Sequence, residues 1–280
     1  MTKFASMRYV GLLAASALLF FASAADAKLA GNKLSSNSLP AAKADATILA
    51  ANKLAASKLP PEGFLVHRYA ANPAGVAGLI ATDAGREVLT FIVSCALPEG
   101  TSLVATGPGD ITYEFFGEIG LAKEWLHNAL DNEGRGWMSA CLFARTSGSH
   151  VPVPLSMRGQ HRALALAPGE AETYTLEEGA YYGDYFTPDN ESTACRGEDK
   201  FLLGNVGSLG ERVCTETNPP DAALTVCGFR YAGACGDFAP AHACKHFSVH
   251  DAYRACHAQP IVSHDHSKRY QQVITIYVHD

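Results

Sequence analysis

Apolar and β-branched residues concentrate in short runs along residues 63–190, a pattern typical of strands separated by turns. Predicted strands cover residues 64–69, 88–93, 111–116, 151–157 and 174–176. Apolar positions about four residues apart predict a helix over residues 121–132, and Gly134 and Gly136 are expected to end it. The excess of strands over helices predicts an α+β, β-rich fold.

Two later segments complete the predicted elements. Residues 137–145 predict a second helix or a buried strand. The last apolar run, residues 273–278, is rich in β-branched residues, which indicates a strand that is central in its sheet or well covered. Such a strand would join the tail to the body. We therefore predict a single globular domain over residues 63–280, with a body over 63–190 and a Cys/His-rich part over 191–280.

A five-residue rhythm runs through residues 28–60, with a small or polar residue two places before most apolar positions. The apolar positions are Leu29, Leu34, Leu39, Ala44, Leu49, Leu54 and Leu59. This spacing resembles the pentapeptide-repeat family, and the resemblance implies a short β-solenoid-like segment. A flexible leader or linker over residues 28–62 is the alternative, because segments rich in Ala, Lys and Ser bury little surface. A helix is disfavoured because a period of five moves round a helix instead of forming a stripe.

The first 27 residues have the pattern of a signal peptide. Lys3 and Arg8 precede an apolar stretch over residues 10–21, and small residues follow, so that cleavage after Ala24 or Ala27 fits. The apolar stretch is shorter than the roughly 20 residues that span a bilayer. The sequence therefore predicts a periplasmic or secreted protein that has no membrane attachment after cleavage.

Eight cysteines in an exported chain predict disulfide bonds, because thiols pair outside the reducing cytosol. They are Cys95, Cys141, Cys195, Cys214, Cys227, Cys235, Cys244 and Cys256. Cys95 and Cys141 should pair if the first half of the chain is a unit. The other six allow fifteen connectivities. The sequence does not choose among them, but short spacings would allow a bond across a hairpin between Cys227 and Cys235, and one between Cys244 and Cys256 that joins a loop to a helix.

The C-terminal histidines suggest a zinc site. His242, His246 and His250 are spaced four residues apart and would line one face of a helix, where two such histidines can ligate zinc. His257 and the segment 264–266 offer further ligands, as do Cys244 and Cys256 if they do not pair. The alternative is a solvated polar face that carries a few histidines by chance.

Two smaller clusters have weaker functional interpretations. Asp131 and Glu133 resemble a fragment of a calcium loop, but the rest of the acidic ladder is missing, which favours a solvated helix end. The aromatic and acidic cluster over residues 181–186 would suit a sugar or a peptide if it were exposed. If it is buried, it belongs to the core, where most aromatic residues lie.

Residues 120–125, 136–141 and 151–159 resemble a pattern of uncharacterised secreted bacterial proteins rich in cysteine, which implies export but no activity. The net charge of −6 and the lack of a basic run argue against a nucleic-acid partner and against a charged membrane surface. No nucleophile-elbow, phosphate-loop or dinucleotide motif is present in the sequence. We therefore predict a non-catalytic interaction or structural module with a protein or glycan partner outside the cytoplasm. The alternative is a zinc-dependent extracytoplasmic enzyme that uses the C-terminal histidines.

Overall fold

The computed structural model describes residues 29–31, 33–149, 151–189, 191–218, 221–247, 251–259 and 268–280. The predicted signal peptide, His250 and the predicted ligand segment 264–266 lie outside these residues. The described residues contain both helices and many strands, together with four disulfide bonds, so the predicted disulfide-stabilised α+β, β-rich class is confirmed. Among the described helices, none has both the length and the apolar character that a membrane span requires.

The described residues fold into helices and many short strands, numbered in chain order. The helices are α1 (Ser38–Ala50), α2 (Pro73–Ile80), α3 (Asp83–Ala96), α4 (Asn132–Ala144), α5 (Glu170–Thr173), α6 (Glu198–Leu203) and α7 (Gly207–Gly210). Short 3-10 turns cover Pro108–Asp110, Lys123–Leu126 and Arg162–Leu164. The first nine strands are β1 (Leu29–Gly31), β2 (Leu34–Ser35), β3 (Ala55–Leu59), β4 (His67–Ala71), β5 (Thr101–Thr106), β6 (Thr112–Phe116), β7 (Thr146–Ser147), β8 (Pro154–Arg158) and β9 (Leu176–Tyr182). The last nine are β10 (Thr193–Arg196), β11 (Thr217–Asn218), β12 (Asp221–Thr225), β13 (Arg230–Ala234), β14 (Lys245–Phe247), β15 (Ala252–Arg254), β16 (Cys256–His257), β17 (Arg269–Tyr270) and β18 (Ile274–Val278).

The largest sheet has the strand order β1-β8-β18-β9-β10-β13-β12-β11. Strand β18 lies between β8 and β9 and is antiparallel to both. Its five residues are all buried, so the predicted central strand at the chain's end is confirmed. A second sheet, of order β3-β4-β5-β6, packs with α2 and α3. Helix α4 packs on β9 and β18 and so connects the helical part to the large sheet.

The strand predicted over residues 88–93 is wrong, because these residues lie inside α3. Thr82 begins the helix by accepting a hydrogen bond from the Gly85 amide at 3.0 Å. The buried face of α3 includes Val88, Ile92 and Cys95, which recur at helical spacing. The β-branched run is therefore part of a longer amphipathic pattern, and packing of that face outweighs the local preference for strand.

The helix predicted over residues 121–132 is also wrong, and α4 begins where that helix was expected to end. The Asp131 carboxylate accepts a hydrogen bond from the Gly134 amide at 2.7 Å, which caps the first turn. Asp131 therefore belongs to a helix end, in agreement with the simpler interpretation of this cluster. Gly136 lies within the helix, at a position where an added Cβ would come within 2.8 Å of the Gln272 side chain. For residues 137–145, the helical alternative is confirmed.

Residues 38–50 form α1, and no solenoid coil is present in the described part of the chain. The buried face of α1 runs through Leu39, Ala42, Ala46 and Leu49, at spacings of three or four residues. This face is hard to see in the sequence because alanines occupy two of its positions, whereas the leucines follow the five-residue spacing. The expectation of a solenoid or a flexible leader is therefore wrong for these residues, which belong to the same core as α2 and α3.

The aromatic cluster over residues 181–186 is buried. Tyr181, Tyr182, Tyr185 and Phe186 each expose 4% of their surface or less. Tyr185 donates a hydrogen bond to the carbonyl oxygen of Leu39 at 2.6 Å, which ties the cluster to α1. The interpretation of these residues as core is confirmed.

All eight cysteines form disulfides: Cys95–Cys141, Cys195–Cys235, Cys214–Cys227 and Cys244–Cys256. The predicted Cys95–Cys141 and Cys244–Cys256 bonds are confirmed, although short strands and not a helix surround the second. The predicted Cys227–Cys235 bond is wrong. Cys227 lies in the turn before β13 and Cys235 directly after it, so the length of this five-residue strand separates them.

Candidate functional site

The predicted helical face of histidines is not present. His246 lies in β14, which pairs with β15, and His242 lies in the loop before it. His257 is buried in β16, and His250 lies outside the described residues. No group of three or more His, Cys, Asp or Glu side chains that could hold a metal is found in the described part of the chain. The strand geometry therefore removes the basis on which a helical zinc pair was predicted.

His246 instead lines an open cavity of about 440 Å³, which we call the acidic cavity. Its lining residues are Glu177, Glu198, Asp199, Gly236, Asp237, Phe238, His246, Asp251, Tyr253 and Tyr277. Strands β9, β15 and β18 form its floor, and the start of α6 and the loop after β13 form its sides. The cavity thus lies where the large sheet meets the disulfide-rich end of the chain.

Glu177 is the centre of the floor, where it is 6% exposed. Its Oε1 accepts hydrogen bonds from the Tyr253 hydroxyl at 2.7 Å and from the Glu198 amide at 2.9 Å. Its Oε2 accepts one from the Tyr277 hydroxyl at 2.9 Å. Burial raises the pKa of Glu177, and the hydrogen bonds and His246 oppose that effect only in part. Glu177 thus accepts three hydrogen bonds, but burial still disfavours its charged form.

The two floor tyrosines stay protonated. Burial and the nearby charge of Glu177 raise the pKa of both Tyr253 and Tyr277. Tyr253 faces His246 across the β14–β15 pair, and their rings meet edge to face at 5.6 Å. The floor therefore presents aromatic rings whose hydroxyl groups are already engaged with Glu177.

Asp251 lies on the rim and is held from two sides. The guanidinium of Arg158 donates to its Oδ2 at 2.6 Å, and the Nε2 of His246 is 3.4 Å from its Oδ1. Arg158 is almost fully buried, lies 3.6 Å from the centre of the Tyr277 ring, and also donates to the Tyr174 carbonyl oxygen at 2.6 Å. The positive charge of Arg158 therefore lies behind the wall and not on it.

The remaining wall is acidic. The Asp199 carboxylate accepts from the Glu177 amide at 2.8 Å, which fixes the start of α6 against β9. The Oδ1 of Asp237 lies 2.9 Å from the Nε2 of His242. Five carboxyl groups and three aromatic rings thus line the cavity, and its described lining residues include no lysine or arginine. Carboxylates combined with aromatic faces form an environment that suits an organic cation.

Several of these residues were not predicted from the sequence. Glu177 and Glu178 are adjacent acids inside the otherwise apolar strand β9, and both are buried. Because successive strand side chains point to opposite faces, Glu177 lies in the cavity and Glu178 pairs with Arg212 on the other face. Two acids within an apolar run were the signal that could have identified this floor. Asp199 and Asp251 come from segments without a comparable signal.

A second cavity, of about 530 Å³, lies between the start of α4 and His161. Two tryptophans line it, but Trp125 and Trp137 are 1% and 4% exposed and offer little surface for stacking. The Nε1 of Trp125 donates to the Asn52 carbonyl oxygen at 2.9 Å. Burial lowers the pKa of His161, whose Nδ1 accepts from the Ala163 amide. The polar groups of Trp125 and His161 are therefore engaged in holding the fold.

The described residues thus form a disulfide-stabilised α+β protein in which the acidic cavity combines carboxyl groups with aromatic rings. Its floor is built by β9 and β18 of the large sheet together with β15, and its sides by segments next to the disulfides Cys195–Cys235 and Cys244–Cys256. Comparison with protein-family models, with curated proteins and with solved structures finds no match.

Proposed function

We propose that the protein is an extracytoplasmic, non-catalytic binding protein whose acidic cavity takes a lysine or arginine side chain of a protein partner. The observation that carries the proposal is the composition of the cavity wall, in which five carboxyl groups and three aromatic rings surround about 440 Å³. The four disulfides and the predicted signal peptide support a location outside the cytoplasm.

Because Arg158 is buried, it does not occupy the cavity, and the carboxylates of the wall remain accessible to a cation from outside. Arg158 neutralises part of the charge of Asp251 from behind, and it is too deeply buried to enter the cavity. Glu198 and Asp237 are exposed on the rim and are not paired with a lysine or an arginine in the described residues. A cationic side chain that enters would therefore meet carboxylates first and the aromatic floor second.

Charge also favours this partner during encounter. The chain has a net charge of −6, which attracts a basic surface and repels an acidic one. At physiological ionic strength the attraction between exposed charges is screened over about 8 Å, so added salt should weaken binding. Salt dependence therefore distinguishes a cation held by carboxylates from an apolar ligand in the same cavity.

Calorimetric titration of the full chain with tetralysine, and with tetraglutamate as the comparison peptide, tests the proposal. We expect tetralysine to bind, tetraglutamate not to bind, and the affinity for tetralysine to fall as sodium chloride is raised. The Glu198→Gln/Asp237→Asn variant should lose about tenfold in affinity, since two rim charges contribute roughly 1.4 kcal/mol together. The Glu172→Gln variant is the matched control, because Glu172 is an exposed carboxylate of α5 that does not line the cavity.

Three results would contradict the proposal: no binding of tetralysine, binding that is insensitive to salt, or an equal loss in the rim and control variants. The zinc-dependent enzyme expected from the histidines has its own test. Metal analysis of protein purified without a His-tag should show one bound zinc per chain if that alternative holds, whereas the binding proposal expects tetralysine affinity to be the same before and after treatment with a chelator.

A further inference from the structure

Two of the four disulfides touch each other. The Sγ of Cys195 lies 3.6 Å from the Sγ of Cys244, although Cys195 is bonded to Cys235 and Cys244 to Cys256. All four cysteines are fully buried. We call these four residues the sulfur cluster, in which the two inner sulfurs, of Cys195 and Cys244, face each other and the two outer sulfurs belong to Cys235 and Cys256.

Backbone hydrogen bonds hold the sulfur cluster together. The amide of Cys244 donates to the carbonyl oxygen of Cys235 at 2.7 Å, and the amide of Cys235 donates to the carbonyl oxygen of Arg196 at 2.8 Å. The amide of His257, next to Cys256, donates to the carbonyl oxygen of Ala243 at 2.9 Å. The contact between the two disulfides therefore results from paired main-chain segments and not from mobile side chains.

A thiolate attacks a neighbouring disulfide sulfur and displaces the other sulfur of that bond. A separation of 3.6 Å is close to the roughly 3–3.5 Å of a near-attack arrangement. We propose that the sulfur cluster is an internal thiol–disulfide exchange site, at which reduction of either bond by a dithiol leads to a new Cys195–Cys244 disulfide.

The two routes of reduction give the same product. A dithiol that reduces Cys244–Cys256 supplies two electrons and two protons and is itself oxidised to a disulfide. The Cys244 thiol then loses its proton, its thiolate attacks the Sγ of Cys195, the Cys195–Cys235 bond breaks, and the Cys235 sulfur leaves and takes up a proton. If Cys195–Cys235 is reduced first, the Cys195 thiolate attacks the Sγ of Cys244, and Cys256 leaves in the same way. Both routes end with one Cys195–Cys244 bond and free thiols at Cys235 and Cys256.

The exchange would release the two outer cysteines while keeping β10 joined to the segment before β14. Gly236, Asp237 and Phe238 of the acidic cavity follow Cys235 directly. The segment that gains freedom is thus one wall of that cavity.

Partial reduction of the full native chain with a limiting amount of dithiothreitol, trapping with N-ethylmaleimide and peptide mapping by mass spectrometry test the inference. Among molecules that gain two labels within the sulfur cluster, we expect most to carry a Cys195–Cys244 cross-link and labels on Cys235 and Cys256. The inference is overturned if such molecules keep either original bond and carry both labels on the two cysteines of the other.

Single variants give a second measurement without added reductant. In Cys256→Ser the unpaired thiol starts at Cys244, and exchange should move part of the label to Cys235. In Cys235→Ser the unpaired thiol starts at Cys195, and part of the label should move to Cys256. The matched control is Cys227→Ser, in which the label should stay on Cys214. Labels confined to Cys244 and Cys195 in the two test variants would contradict the inference.

Discussion

The N-terminal region (residues 34–144) and the C-terminal region (residues 191–280) are stabilised in different ways. The first buries long apolar side chains from α1, α3 and α4 and contains one disulfide. The second consists mainly of short strands with the short helices α6 and α7, and it contains three disulfides. Cys214 and Cys227 belong to the main core. The core cluster around Cys195–Cys235 and Cys244–Cys256 has alanines, tyrosines and one valine as its other members: Ala180, Tyr182, Ala232, Ala243, Tyr253, Ala258, Tyr270 and Val273.

The comparison shows where cross-links replace apolar burial. A buried leucine or isoleucine contributes roughly 1.5–3 kcal/mol, and alanine offers far less area. Closing a loop with a disulfide contributes about 3–4 kcal/mol by restricting the unfolded chain. Short strands such as β14 and β16 have few side chains to bury, so covalent bonds supply stability that the small side chains around the sulfur cluster do not.

The largest effect is expected from Arg212, which joins the two regions. Its guanidinium donates to the carbonyl oxygens of Ala144 at 2.9 Å and Thr146 at 3.1 Å and lies 3.6 Å from the fully buried Glu178. Arg212→Met leaves the Glu178 carboxylate buried without its cation. We expect a loss of about 3–5 kcal/mol in the free energy of unfolding, measured by urea denaturation.

The Arg212→Met/Glu178→Gln double variant is the control for this prediction. Removing both charges should recover a large part of the loss, because a buried pair that is replaced as a whole costs much less than a broken one. If Arg212→Met were as stable as the original chain, the stability of the two regions would not depend on this pair.

Removal of the Cys195–Cys235 bond should have the next largest effect. The bond spans 40 residues, and the chain-entropy relation gives about 4 kcal/mol for a loop of this size. In Cys195→Ser/Cys235→Ser we expect amide exchange to accelerate across β10 and β13 while α1 and α3 keep their protection. An equal acceleration in both regions would show that the bond stabilises the whole molecule and would remove the contrast between the two regions.

Leu49→Ala tests the N-terminal region in the same way. Leu49 is fully buried in α1, and its Cδ1 lies 2.8 Å from the position of a Cβ at Gly75, so α2 packs tightly on it. We expect a loss of about 3 kcal/mol in the free energy of unfolding. Combined with Cys195→Ser/Cys235→Ser, the losses should add to within about 0.5 kcal/mol if the two regions are independent. A larger deviation from additivity would contradict the comparison.

The sequence predicted the parts of the fold that local patterns determine. Strand β18 has a continuous β-branched run, and the Cys95–Cys141 bond followed from the position of the two cysteines in one half. Helix α3 was missed because its β-branched residues favour strand locally and its helical face shows only over fourteen residues. Cys195 and Cys235 meet through the parallel pairing of β10 and β13, which no spacing between cysteines reveals.

The candidate site was predicted only in its approximate location. His246 does line the acidic cavity, as a residue of a strand, and His242, in a loop, lies 2.9 Å from the rim residue Asp237. The carboxyl groups that define its chemistry come from β9, α6 and the segments around residues 237 and 251. Such a set assembles only when the large sheet and the disulfides bring distant segments together, so its composition could not be predicted from any one stretch of the chain.

Glu177 should make stability depend on pH. Burial raises its pKa above the ordinary value of 4.5, so the native state keeps this proton at pH values where the unfolded chain has lost it. The resulting stabilisation is full below pH 4.5 and is lost as the pH rises through the raised pKa. Glu177→Gln cannot titrate. We therefore expect the stability of the original chain, relative to this variant, to fall from acidic to neutral pH in urea denaturation series. Glu172→Gln is the control, and a relative stability that rises with pH would contradict the prediction.

The smallest effect is expected at the start of α3, in the region without dense cross-links. The Thr82 hydroxyl accepts from the Gly85 amide at 3.0 Å, and replacing an N-cap threonine by alanine costs about 1 kcal/mol. Thr82→Ala should therefore lower the free energy of unfolding by about that amount, whereas Thr82→Ser should keep most of it, because serine supplies the same acceptor. Since the capped helix packs in the N-terminal core, its loss of amide protection should be confined to that region. Loss of protection in β10 or β13 after this change would mean that the C-terminal disulfides do not make their region independent of the apolar core.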